Sequence, residues 1–259
     1  MAHARRRYWH YLLDLDPELA GELDVRMRFV ARPAATAVTF ELEPGQIDLS
    51  RALASTPGGP GLLVLAGALV GYARVVDRVV AELLGRGDLV QSGADGKEDE
   101  FVGCDVSWRV LEPVRFAILD AEFADRVRPW PQITQALLHR AERRVHSLAV
   151  QRGIAAQPRL EVRLLLLLWH LAARWGKVEP GGVRLPLPLT HLLLGRLVGA
   201  ERPSVTHALK RLAAAGLVSG GDDGWHLQGS IAEHLNALGE RTGEAVRHLP
   251  PASLAQAAR

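Results

Sequence analysis

The most regular alternation of apolar and polar positions lies in residues 189–217, LTHLLLGRLVGAERPSVTHALKRLAAAGL. Leu194, Leu197 and Val198 recur at i, i+3 and i+4 and share one face of a first helix, for which Thr190 is a good N-cap. Gly199 tolerates the positive φ that ends it. Val205, Ala208, Leu209 and Leu212 form the buried stripe of a second helix, with Pro203 in its first turn, where a missing N–H costs nothing. The opposite face carries Pro203, His207 and Lys210, flanked by Thr206 and Arg211, with Arg202 at the N-terminal end. Apolar segments on either side predict two hairpins. Lys177-Val178-Glu179 and Val183-Arg184-Leu185 bracket Pro180-Gly181-Gly182, and Leu217-Val218 and Trp225-His226-Leu227 bracket the Gly- and Asp-rich residues 219–224. Hairpin, two helices, hairpin is the layout of a winged helix, and a polar, cationic start to the second helix is what major-groove reading requires. By spacing alone, two short amphipathic helices packed in an ordinary core fit equally well.

Upstream the periodicity changes. Asp16-Pro17-Glu18 predicts a short helix with Leu19 and Leu23 as its apolar contacts. Residues 28–40 hold β-branched and aromatic residues interrupted by Pro33. Pro44-Gly45 predicts a turn and residues 57–61 a loop. Residues 62–65 read as a buried strand, Gly67 as a turn and residues 69–76 as the next strand; residues 85–88 form another turn, and residues 110–120 a strand pair around Glu112-Pro113. Many short strands with Gly turns predict an antiparallel barrel. Residues 75–84 also suit a helix. Pro129 and Pro131 open a long helix that can end near Gly153, with a stripe of Ile133, Leu137, Ala141, Val145 and Leu148. That stripe packs either on its own domain or on a second copy. The second reading is preferred because Arg140, Arg143 and Arg144, lying off the stripe, have no obvious partner in the chain. Gln157-Pro158 is a hinge candidate, and residues 160–175 form a helix apolar nearly all round, hence buried. The tail after Ser230 is partly helical at Ile231, Leu235 and Leu238.

Composition narrows the function. The 259 residues suit two modest domains and carry a net charge of only +2. The charge is uneven: residues 126–152 hold six arginines against one acid, and residues 159–229 nine Lys/Arg against five Asp/Glu. A basic C-terminal half fits a polyanionic partner, although charge runs are more often solvated helix faces. Cys104 is the single cysteine, which excludes an intramolecular disulfide and a cysteine-ligated cluster within one chain and suits a reducing cytoplasm. No apolar signal region follows Arg5-Arg6-Arg7, and the longest apolar run, residues 164–169, is too short to span a bilayer, so no membrane association is expected. The sequence shows no nucleophile elbow, P-loop or dinucleotide fingerprint, and its ten histidines form no i, i+4 pair; no enzymatic activity and no metal site are expected.

The run LPLPLTHLLLGRLVGAERPSVTHALKRLAAAGLV resembles the DNA-binding domain of the Crp–Fnr family of bacterial transcription regulators. The resemblance is strong over about residues 160–228 and weaker, in the right order, over residues 58–157. It implies an α+β chain. A cyclic-nucleotide-binding-like antiparallel β-barrel of jelly-roll type (1–126) would lead to a dimerisation helix and hinge (127–157). A winged helix-turn-helix (158–230) and a tail (231–259) would follow. Arg202 stands at the position of the family's first base-reading arginine. Where the member best known for cyclic-AMP control has Glu and then Arg, this chain has Pro203 and His207, of which His207 can donate one bond. Ser204, Thr206, Lys210 and His191 suit phosphate contacts, and Thr190 accompanies them. Ile133, Leu137, Ala141, Val145 and Leu148 would be the homodimer seam. GLLVLAGALV and LLGRGDLV resemble the strands leading to the family's phosphate-binding cassette. Residues 91–100, QSGADGKEDE, lack its Gly-Glu and Arg-Ser/Thr-Ala segments and are acidic. Arg109 is the one nearby substitute, but it lies in a strand-like stretch without a following Ser-Ala. No cofactor, and in particular no cyclic nucleotide, is therefore expected. The resemblance implies a cytoplasmic homodimer that binds an inverted repeat in double-stranded DNA, with RNA polymerase a further partner to consider and an effector other than cyclic AMP or none. The alternative is a small-molecule-binding barrel protein with degenerate DNA readout, to which Leu192 and Leu193 lend weight, since polar residues are expected there.

Overall fold

The computed structural model describes residues 5–91 and 103–239. It divides into two compact units, Met1–Leu148 and Ala149–Arg259. The first begins with strand β1 (Arg5–Tyr11) and the short helix α1 (Leu12–Leu15). The helix expected after Asp16 is a single 3-10 turn, Pro17–Ala20, with Leu19 and Leu23 buried. Residues 28–40 divide between helix α2 (Val25–Ala31), capped by the Asp24 carboxylate accepting from the Met27 N–H at 2.7 Å, and strand β2 (Thr36–Leu42). Strand β3 (Gly45–Ile47), helix α3 (Ser50–Leu53) and strands β4 (Gly61–Val75), β5 (Arg78–Gly85), β6 (Leu89–Val90) and β7 (Asp105–Leu119) complete the sheet.

The sheet runs β1-β2-β7-β4-β5, with β3 on β7 and β6 on β4, and its described ladders are all antiparallel. The N-terminal unit is thus the expected antiparallel sheet, but an open one among the described residues, where β1 and β5 are edges and the strands do not close into a barrel. The strands are also longer than the sequence suggested. Gly67 is no turn, and Glu112-Pro113 joins no strand pair; both lie inside 15-residue strands that pair with each other. Pro113 has no N–H for the ladder, and the register shifts between Val64 and Leu69 opposite it. Gly67 sits there at φ +84°, where a Cβ would lie 2.1 Å from the Pro113 carbonyl oxygen. Residues 75–84 are not helical: β4 turns directly into β5, with Val75 paired to Arg78.

Both faces of the sheet centre are buried. Leu62, Val64, Phe116 and Ile118 enter one core with Phe40, Leu69 and Leu84. The alternate residues Leu63, Leu65, Ala117 and Leu119 enter another with Leu12, Leu19 and Phe123. Two-sided burial explains why these strands read as continuous apolar runs. Helix α4 (Ala121–Val127), capped by Asp120, contributes Phe123 to that second core. The long helix α5 (Pro131–Ala155) follows and continues past Gly153.

In the second unit, helix α6 (Leu160–Trp175) has the predicted bounds and buries Leu164, Leu165, Leu167 and Leu168. Strands β8 (Lys177–Glu179) and β9 (Gly182–Leu185), helices α7 (His191–Val198) and α8 (Arg202–Ala214), and strands β10 (Val218–Gly221) and β11 (Gly224–Gln228) follow. The two predicted hairpins join into one sheet, β10-β11-β9-β8. Helix α9 (Ile231–Ala237) closes the described chain, with a capping box between Ser230 and Glu233.

Candidate nucleic-acid interface

Helices α7 and α8 take their geometry from local chemistry. Thr190 caps α7, its hydroxyl accepting from the Leu193 N–H at 3.2 Å, and Gly199 ends the helix in the left-handed region at φ +69°. The turn between the helices is tight: the Ala200 N–H donates to the Gly195 carbonyl at 2.8 Å. A Cβ on Gly195 would stand 2.4 Å from the Ala200 oxygen, so this glycine inside a helix serves the turn. Val205, Ala208, Leu209 and Leu212 are buried as the stripe predicts.

Arg202, Pro203, Ser204, His207 and Lys210 are all exposed on α8, with Pro203, His207 and Lys210 opposite the buried stripe and Arg202 and Ser204 flanking that face on either side. Arg211 is exposed too but pairs with Glu161 on α6. Thr190 is exposed, with its hydroxyl engaged as the cap. Two of the expected phosphate-contacting residues are instead bonded to each other: His191 Nδ1 lies 2.9 Å from Thr206 Oγ1, and both are half-buried. Of the two leucines that weigh against DNA readout, Leu193 is buried and Leu192 is 48% exposed. In the β10–β11 turn, Asp222 and Asp223 are both acidic and exposed. The His226 imidazole 3.0 Å from Asp223 holds its carboxyl below the usual range.

The expected seam on α5 is only partly available to a second copy. Ile133 and Leu137 are buried in the core of their own unit, which corrects their assignment. Steps of four residues advance the direction by roughly 40° each, so a ladder of such steps winds around the helix. Ile133 and Val145 therefore point roughly 120° apart. The inward side continues to Arg140 and Arg144, and both have intrachain partners, contrary to expectation. Arg140 pairs with Asp16 on both carboxylate oxygens, one at 2.8 Å, and reaches Glu18 at 3.4 Å. Arg144 donates to both oxygens of Glu82 and to the Leu89 carbonyl, each at 2.8 Å. On the outward side Leu138 is 57%, Val145 67% and Leu148 40% exposed. Leu138, Ala141, Val145 and Leu148 alternate steps of three and four and hold one direction. Leu138 belongs to this exposed apolar line and was absent from the stripe the sequence predicted, although its spacing was there to find.

The cassette position at residues 91–100 lies, except for Gln91, outside the described residues. Among the described residues no helix is long and apolar enough to cross a membrane.

Residues 162–228 match the model of the Crp-like helix-turn-helix domain. No curated protein matches the chain. Solved structures similar to it include FixK2 from Bradyrhizobium japonicum, at 13% identity and a TM-score of 0.59 over 80% of this chain and 98% of that one. The c-di-GMP responsive global regulator CLP of Xanthomonas campestris follows at 21% identity and a TM-score of 0.56 over 78% and 98%. A transcriptional regulator of the CRP/FNR family from Thermus thermophilus has 21% identity and a TM-score of 0.53 over 79% and 100%. A Crp-like helix-turn-helix domain and the fold of the Crp/Fnr transcription regulators are therefore present, as the sequence resemblance implied.

Proposed function

We propose that this chain, built on the fold of the Crp/Fnr transcription regulators, is a sequence-specific DNA-binding regulator that acts as a homodimer on an inverted repeat. The observation that carries this reading is the exposure of Arg202, Ser204, His207 and Lys210 on the polar face and flanks of α8, the second helix of a Crp-like helix-turn-helix. An arginine at the start of such a helix can donate twice to guanine O6 and N7, the commonest specific major-groove contact. Pro203 accepts nothing from a cytosine amino group, and His207 offers a single bond. The half-site should therefore keep one guanine read by Arg202, and a two-fold dimer sets the half-sites about one helical turn, roughly 10–10.5 bp, apart. Ser204 and Lys210 serve the phosphates. The homodimer seam is Leu138–Ala141–Val145–Leu148, and the effector is something other than a cyclic nucleotide, or absent.

The test is a salt titration of binding to a site selected from random duplexes. Arg202→Ala should cost about 1–3 kcal/mol per half-site and relax preference at one guanine. Lys210→Ala should weaken specific and random duplexes alike and flatten the salt dependence by about one phosphate contact. Equal losses on all sequences for both variants would remove Arg202 from base reading. Absence of any site preference in the wild type would favour the alternative, a small-molecule-binding protein with degenerate DNA readout, here on an open sheet rather than a barrel, which exposed Leu192 and the acidic β10–β11 turn support.

A further inference from the structure

We infer that His191 and Thr206 form a strut that positions Arg202 for base reading, so that they govern sequence discrimination without themselves holding the DNA. The inference rests on α8 being the DNA-reading helix. Its starting point is a proton count. The Thr206 hydroxyl donates to the Arg202 carbonyl oxygen at 3.0 Å. A threonine has one hydroxyl proton, so the contact 2.9 Å away at His191 Nδ1 must be made by Nδ1–H donating to the Thr206 oxygen. That sets the neutral imidazole as the Nδ1–H tautomer, with Nε2 an acceptor. In this form His191 has no N–H left to give a phosphate.

The relay joins three elements. The His191 ring lies 6.0 Å from that of Trp225 on β11, and the Trp225 indole N–H donates to the Leu189 carbonyl at 3.2 Å, just ahead of the Thr190 cap. The start of α7, the second turn of α8 and the turn end of β11 are thus linked to one another, and the chain of contacts ends on the backbone of Arg202. Glu201 makes no side-chain cap at the start of α8; the Thr206 bond does not replace one, since a cap accepts from N–H groups, but it adds a second hydrogen bond to the Arg202 backbone carbonyl. A threonine bonding back to the carbonyl four residues earlier slightly destabilises a helix; here the same bond places the residue that carries the reading guanidinium. Bidentate recognition requires both guanidinium donors to arrive in plane with one base, whereas a phosphate contact tolerates a shift.

The experiment uses the whole 259-residue chain and three duplexes: the selected site, the same site with the Arg202-read guanine pair replaced, and a random duplex. Thr206→Val removes both hydrogen bonds with little change of shape, and His191→Phe keeps the ring beside Trp225 without its N–H. Each should lower discrimination at that guanine about tenfold, within the range of one bidentate contact. Affinity for the random duplex should stay within about twofold, as phosphate contacts dominate it. Thr206→Ser should restore discrimination. Without DNA, long-range 15N–1H spectra should show His191 as the Nδ1–H tautomer, and Thr206→Val should abolish that preference. Unchanged discrimination in both variants, or parallel loss on all three duplexes, overturns the strut and makes these residues bystanders or phosphate contacts. A wild type without guanine preference overturns the DNA-reading proposal itself and the strut with it. The Nε2–H tautomer in the free protein overturns the strut alone.

Discussion

Arg140 carries a charge into the core of the first unit, where its side chain and that of Asp16 are 2% and 1% exposed. Their mutual hydrogen bonds offset the desolvation of both. Removing one partner leaves the other charged and unpaired, which typically costs 3–5 kcal/mol. Arg140→Ala should therefore lower the unfolding free energy of the first unit, read from urea denaturation, by an amount of about that size, and Arg140→Ala with Asp16→Ala should recover most of the loss. A single variant as stable as wild type would show that water reaches Asp16. His234 poses the opposite problem in the second unit. It is buried, accepts from the Trp169 indole N–H at 3.1 Å and donates to the Gln228 carbonyl, which matches a neutral imidazole. Burial holds its pKa below the ordinary histidine value, with the Gln228 bond and Glu233 opposing in part. The unfolded chain then binds the proton first. The contribution to stability is complete above the unfolded value of about 6.5 and is lost as pH falls below it toward the depressed folded value. Melting of the second unit should decline as pH falls below about 6.5, and His234→Gln should flatten the decline. An unchanged slope in the variant would assign the acid sensitivity elsewhere.

Helix α5 illustrates how one element serves two masters. Its inward side begins apolar at Ile133 and Leu137 and ends cationic at Arg140 and Arg144, matched in turn by the core and by Asp16 and Glu82. Its outward side leaves Leu138, Val145 and Leu148 exposed. Alternating steps of three and four residues are the spacing of a coiled-coil seam. Val145→Asp would bury a carboxylate in that seam, without disturbing the inward contacts. The variant should elute as a monomer with unchanged melting of the first unit. A wild-type protein already monomeric by light scattering at micromolar concentration would remove the seam.

At the scale of the molecule, the proposed absence of a cyclic-nucleotide effector has a direct test. Residues 91–100 carry Asp95, Glu98, Asp99 and Glu100 against Lys97, where nucleotide-binding relatives need an arginine for the cyclic phosphate. Like charges disfavour a bound anion. Calorimetry with cyclic AMP or cyclic GMP should give no binding at micromolar concentrations; a micromolar affinity for either would show that arginines elsewhere in the first unit take over the phosphate. The fold itself does not decide the matter, because one scaffold accommodates many ligands.

The helix-turn-helix was legible in the sequence almost residue by residue. Its signals are local: the Thr190 cap, the Gly199 stop, Pro203 in a first turn and an unbroken stripe from Val205 to Leu212. The helix at Leu160–Trp175 and both hairpins were legible for the same reason, as caps, turns and periodicity act within a few residues. The first unit was legible only in class. Gly67 and Pro113 carry turn signals, yet they oppose each other in a bulge between two long strands, an outcome set by pairing across some fifty positions of chain. The side of α5 that faces inward was likewise a tertiary decision: Asp16 and Glu82, far away in sequence, neutralise Arg140 and Arg144 and so turn Ile133 and Leu137 toward the core. The contact between His191 and Thr206 belongs to the same class, since fifteen residues and a turn separate two side chains that only the packing of α7 on α8 brings to hydrogen-bond distance.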